Sequence, residues 1–173
     1  TITAGTAAKG FIAAGFNVAG ANYPVVADIK KHVYGKNKGN MEDKTRIGSV
    51  YYNRGVVHGI ITVEAIRKAQ EKYGKGKALT GEQVRWGFEN LNLDDARLKA
   101  LGATGFMPAL KITCADHEGP GKVKFQQWDG KQWKVITDWV ESDRPLVRGM
   151  IEESAAAYAK EKGIKPRDCS KES

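Results

Sequence analysis

Two short stretches hold most of the side chains able to do chemistry. Asp116-His117-Glu118 is a run of adjacent titratable residues, of the types that hold metals or trade protons. On an extended backbone, consecutive side chains point to alternate sides, so three in a row rarely converge on one atom. The Gly-Pro-Gly that follows marks a turn, and a turn-forming role is the plainer reading. Tyr51-Tyr52-Asn53-Arg54 lies ahead of a long helical pattern. A helix N-terminus exposes unpaired N–H groups and partial positive charge, which favour carboxylates and other anions. Tyrosines there supply an aromatic wall and a hydroxyl, and Asn53 is either a cap or a ligand contact. The blander alternative has Tyr51 closing a strand, Tyr52 packing and Asn53 capping.

Other chemistries fail on spacing. Gly76 and Gly81 are placed like the opening of a phosphate loop, but Glu82-Gln83 stands where Lys-Ser/Thr is required, and a carboxylate there repels phosphate. No dinucleotide-binding glycine fingerprint follows a strand, and there is no Gly-x-Ser-x-Gly elbow. His32, His58 and His117 are scattered, with no i, i+4 pair for a metal. The expectation is no catalysis, no cofactor and no metal. Cys114 and Cys169 match no zinc or redox spacing; they would pair in an oxidising compartment and stay thiols in the cytosol.

Composition bounds the partners. The 173 residues are 41% apolar and 28% charged, the make-up of one globular domain able to bury a core. Apolar runs are too short to span a bilayer. The N-terminus lacks both Met and the basic start of a secretion signal, as expected of a processed or truncated chain. Net charge is +8, but the lysines come in ones and twos without interleaved aromatics, so nucleic acid is not the expected partner.

The elements that must position these residues read as follows. Residues 10–18 form a short buried strand or crossover. A helix starts at Pro24, carries Val25, Val26, Ile29 and Val33 at helical spacing, and stops at Gly35. After a polar loop, a second helix runs from about Asn53 to Lys72, with an apolar face broad enough to imply burial on more than one side. Thr80 and Gln83 fit a capping box opening a third helix, and a short fourth runs from about Asp94 to Leu101, ending at Gly102. From Gly105 the pattern turns to β. Asp129-Gly130 signals a hairpin, and a three-residue loop, Asp129 to Lys131, pairs Phe125 with Val135 and Gln127 with Trp133. A last helix runs from about Pro145 to Lys162, stopped by Gly163. The four tryptophans read as packing residues rather than a binding cage. Helices that outnumber the two or three strands are an awkward balance, and it suggests that part of the fold lies elsewhere.

The stretches GFNVAGANYPVVADIKKHVYGKNKG, IGSVYYNRGVVHGIITVEAIRKA, LTGEQVRWGFENL and DHEGPGKVKFQQWDGKQWKVITDW occur in that order. Together, from about Gly10 to Gly163, they make a chain that resembles the C-terminal half of the type I periplasmic solute-binding proteins, the branched-chain amino acid-binding family of ABC importers. The resemblance implies a two-lobed α/β fold with parallel sheets flanked by helices, incomplete in this chain because a full member is roughly twice as long. Residues 1–104 would supply a crossover and the closing part of the first lobe. Residues 105–163 would supply another crossover, the hairpin and the terminal helix of the second, and 164–173 a polar tail. The implied function is capture of a branched-chain or other aliphatic amino acid in the interlobe cleft and delivery to an ABC permease. Aromatic carboxylates are the alternative ligand, and a ligand-sensing receptor domain is the alternative role. Tyr51, Tyr52 and Asn53 would reach the cleft, with Asp116 and His117 beyond the last crossover as further candidates. The implied partners are the small solute, the permease, and the missing N-terminal half or a second copy of this chain. The implied location is the periplasm.

Overall fold

Local signals start and stop most of the helices in a computed structural model that describes residues 3–171. Residues 1–2 of the first segment and 172–173 of the polar tail lie outside the described residues. Helix α1 (Pro24–His32) has proline in its first turn, and Lys30, Lys31 and His32 complement the negative end of its dipole. Helix α3 (Gly81–Glu89) is opened by the expected capping box: Thr80 Oγ1 accepts from Gln83 N at 3.3 Å, and Gln83 Oε1 accepts from Thr80 N at 2.9 Å. Helix α4 (Asp95–Ala100) is capped by Asp94, which accepts from Arg97 N at 2.7 Å.

Helix α2 (Val50–Tyr73) differs from the expectation at its start. Ser49 caps it by accepting from Tyr52 N at 3.3 Å, so Tyr51-Tyr52-Asn53-Arg54 is its opening turn and no strand precedes it. Gly87 lets α3 lie directly on α2, because a Cβ there would run into the Ala65 carbonyl. The α2 face is buried on one side only: Val57, Glu64, Ala65 and Ala69 are covered, whereas Val63 is open to solvent.

The core gathers Val26, Ile47, Val57, Leu91, Leu93, Leu98, Ala103, Phe106, Met107 and Leu110. Phe106 is fully buried, with its ring edge-on to Tyr23 at 5.1 Å. A small antiparallel ladder closes this part, pairing β2 (Asn92–Leu93) with β3 (Leu110–Lys111). Glu64, buried on α2, ties in α4 through Arg97, whose Nη2 and Nε donate to it at 2.6 and 2.7 Å.

The second part is a sheet around β4 (Lys122–Trp128), paired antiparallel with β1 (Ile12–Gly15), β5 (Trp133–Val135) and β6 (Val140–Glu141). The expected strand at 10–18 is present but half open to solvent rather than buried. All strand ladders among the described residues are antiparallel, so the parallel sheets that the resemblance implies are not formed within them. The hairpin register is also shifted by one: Trp128 pairs with Trp133 and Gln126 with Val135 around a loop at 129–132. Asp129 explains the longer loop, since its carboxylate accepts from Lys131 N and Gln132 N at 2.9 and 2.8 Å. The extra residue brings the two indoles edge to face at 5.7 Å.

Helix α5 (Arg144–Lys162) is capped by Asp143 and ends at Gly163, whose φ of 62° suits a residue without Cβ. None of its residues is buried. Ion pairs hold its start: Arg144 bonds Asp116 and the Gly119 carbonyl, and Arg148 donates to Glu118 and the Ala115 carbonyl at 2.6 and 2.7 Å. Past α5 the tail returns to the helical part. Cys169 is disulfide-bonded to Cys114, and Arg167 grips the Glu89 carboxylate at 2.7 and 2.9 Å.

Candidate functional site

Three stretches of chain meet beside the first half of α2: residues 16–18 leaving β1, residues 107–112, and the glycine-rich turn 117–123. Side-chain amides fix the first of them. Asn17 Nδ2 donates to the Val50 carbonyl at 3.0 Å, and Asn53 Nδ2 donates to the Val18 and Gly20 carbonyls at 2.8 and 2.9 Å. Gln126 Oε1 accepts from Ala19 N at 3.1 Å, joining the same stretch to β4. All three amides are buried, so each bond forgone would leave a desolvated polar group.

These stretches and α2 line an open cavity of about 400 Å³. Its α2 wall is Val57, His58 and Ile61, positions that recur on one helical face. Phe16, Met107, Pro108, Leu110 and Ile112 make the rest mainly apolar, and His117, Glu118 and Lys122 supply polar groups. The size and lining suit a small solute held by apolar contact and oriented by a few polar groups.

Arg54 lies one turn before Val57 and His58 on α2. Its guanidinium carbon sits over the Phe16 ring, 5.0 Å from the centroid, and over the Tyr51 ring at 5.7 Å. Arg54 Nε donates to Asn17 Oδ1 at 3.4 Å, a long bond from an anchored acceptor. No acidic residue occupies the first turn of α2, so its positive end is not offset there.

The sequence candidates divide by helix angle and by turn. Tyr51 is 77% exposed in the first turn of α2, on the helical face that carries Arg54 and His58. Tyr52 packs against the core, its hydroxyl donating to that of Tyr34 at 3.3 Å, and burial pushes its pKa up so that it stays protonated. Asn53 is fully buried and commits both amide hydrogens to residues 18 and 20. Asp116 faces α5, accepting from Arg144 and from Glu118 N at 3.0 Å, and its backbone bridges Thr113. His117 lines the cavity and also a second hollow of about 490 Å³ with Val84, Phe88 and Glu89. Its Nε2 lies 3.3 Å from Glu89 Oε1. The Arg167 hydrogen bonds hold the Glu89 carboxyl below its ordinary pKa against the opposing effect of burial.

Sequence reasoning gave no role to Phe16, named Arg54 only as the end of the 51–54 stretch, and weighed His58 only as a metal ligand. The stripe 54, 57, 58 and 61 was readable as an i, i+3, i+4, i+7 face. What faces it, residues 107–123, comes from a distant part of the chain. Among the described residues no group of three or more His, Cys, Asp or Glu is placed to hold a metal ion. No helix among them is long and apolar enough to cross a membrane.

No protein-family profile and no curated protein sequence matches the chain. Two solved structures do. One, from the Pseudomonas fluorescens group and described as an ABC transporter permease, is 47% identical over 98% of this chain and 40% of its own, with a TM-score of 0.93. The other is a branched-chain amino acid ABC transporter from Thermus thermophilus with bound valine, 25% identical over 83% of this chain and 37% of its own, with a TM-score of 0.60. The chain thus spans about two fifths of the length of the structures it matches.

Proposed function

From the premise that this chain belongs to the type I periplasmic solute-binding proteins of the ABC importers, we propose that it supplies one wall and the hinge side of a solute-binding cleft. The single observation carrying the reading is the apolar cavity of about 400 Å³ where α2 meets the crossing segments. In this reading residues 1–104 carry a crossover and part of one lobe. Residues 105–163 carry a crossover, the hairpin and the terminal helix of the other, and the tail straps the two. Function is capture of a small solute by lobe closure and its delivery to an ABC permease, without covalent chemistry. The valine bound in the Thermus thermophilus structure supports a branched-chain or other aliphatic amino acid. Tyr51 and His117 face the solute, while Tyr52, Asn53 and Asp116 hold the cleft walls in place.

The bare apolar stripe of α5 supports completion of the fold by protein outside these residues. Leu146, Met150 and Tyr158 are each more than half exposed, and a stripe of that kind needs a cover. The disulfide between Cys114 and Cys169 supports an extracytoplasmic, periplasmic location, where such bonds persist.

Native mass spectrometry of the purified protein, followed by titration with L-valine and benzoate, tests the reading. The expected result is an assembly heavier than the 18.9 kDa chain that retains or takes up one small solute per cleft. A lone chain that takes up neither solute at millimolar concentration sinks it.

A further inference from the structure

We propose that Glu89 is a positioning residue for the cavity, holding its His117 wall in place, and that the C-terminal tail is the strap that holds Glu89. The inference rests on the cleft reading and concerns the control of that same site. Ile112 and His117 line both the cavity beside α2 and the hollow beside α3, so the partition between the two spaces is a single layer of side chains. A wall that thin keeps its place only when a group on its far side holds it. Glu89 is such a group: it lines the hollow, and its Oε1 lies 3.3 Å from His117 Nε2.

Helix stability would not put an acid where Glu89 stands. It is the last residue of α3, whose last turn holds no basic residue, so its charge meets the negative end of the dipole. Its side chain is only 7% exposed, and a carboxylate so buried needs partners. The turn supplies His117, and the tail supplies Arg167, whose Nη1 and Nη2 donate to Oε1 and Oε2 at 2.7 and 2.9 Å. That fork fixes the plane of the carboxylate, and with it the oxygen that faces His117. Tail and turn are joined a second time: Cys169, two residues after Arg167, is bonded to Cys114, three residues before His117. Residues 163–168 are exposed, so this bond is what keeps a tail with little packing of its own beside α3. From the other side, Arg144 and Arg148 of α5 hold Asp116 and Glu118. The turn is thus clamped twice, and the tail's clamp is the one that ends at His117.

The test compares hydrogen exchange at Thr113, Asp116 and Glu118, whose amides are hydrogen-bonded within the turn, in the 173-residue chain and its variants. Arg167→Gln is expected to speed exchange there about tenfold, the worth of a hydrogen bond to a charged group, with α2 unchanged. Arg167→Lys, which keeps the charge but not the fork, should fall between. Reducing the disulfide of the unaltered chain with a dithiol should speed the same amides without any substitution. Lys171→Gln, which breaks the tail's own pair with Asp168, should leave the rates alone. Unchanged turn exchange in both Arg167→Gln and the reduced chain overturns the inference. So does faster exchange that spreads equally to α2, the mark of a general loss of stability.

Titration with L-valine then separates this inference from the cleft reading. Valine is expected to bind Arg167→Gln about fivefold more weakly than the unaltered chain, with Arg167→Lys recovering part of the loss. Equal affinity across the series overturns the inference and leaves the cleft reading standing. If the turn responds as expected but no chain takes up valine, the cleft reading falls and the hold of Glu89 on the turn stands.

Discussion

The helical part, α1 to α4 with the β2–β3 ladder, and the part made of the β4 sheet and α5 each contain helices with an apolar stripe, yet they hold together differently. In the first, α2 and α3 press their small-residue faces together at Ala65, Ala69 and Gly87, over a core that includes Phe106 and Leu93. In the second, α5 has an equally readable stripe, Val147, Met150, Ile151 and Tyr158, and buries none of it. Arginine contacts at its first turns and the returning tail hold it instead. An apolar stripe specifies which face a helix will bury, and says nothing of where the cover comes from.

Mutations should break the two parts unequally. Phe106→Ala removes a fully buried ring from the core and is expected to cost about 4 kcal/mol in chemical denaturation. A loss under about 1 kcal/mol would mean that the core is looser than its burial indicates. Replacing Cys114 and Cys169 by serine opens a link across 55 residues and should cost about 3 kcal/mol. Hydrogen exchange locates the damage: α5 and the tail should lose protection first, with α2 and α3 spared.

Glu64→Gln tests the ion pair inside the helical part. Arg97's hydrogen bond, seconded by Arg67, holds the Glu64 carboxyl below its ordinary 4.5 against burial. Its folded pKa is thus depressed, so its stabilisation is present above about pH 4.5 and is lost as pH falls through the lower folded value. Because Arg97 keeps some solvent, the loss at neutral pH should be about 2 kcal/mol rather than the full cost of stranding a buried charge. The variant should also flatten the acid limb of the stability–pH curve, and an unchanged limb would remove Glu64 from the account. The smallest effect is expected at Met150→Ala, within about 0.5 kcal/mol in this chain alone. A cost above about 2 kcal/mol would show that α5 has a cover in solution.

Elements governed by neighbours a few residues away were legible in the sequence. The Thr80–Gln83 capping box, the ends at Gly102 and Gly163, and the order of the helices follow from hydrogen bonds and backbone freedom within one turn. The start of α2 was misplaced because Ser49 offered a cap ahead of Asn53, the residue that reads most readily as one. The hairpin register was misplaced because two side-chain bonds from Asp129 closed a longer loop than the strand pattern suggests.

At the candidate site, Tyr51, Tyr52 and Asn53 look alike as a tripeptide. The helix turns each about 100° from the last, so one faces water, one the core, and one the backbone of residues 18 and 20. By itself, then, the sequence determined the order of the helices, the capping box that opens α3, and the absence of a phosphate loop or a catalytic elbow. These depend on residue type and short spacing. Tertiary structure alone decided that Cys114 meets Cys169, that Glu89 meets Arg167, and that Phe16 and Asn17 frame Arg54. Each of those contacts joins residues brought together only by the path of the chain, and no local pattern encodes that path.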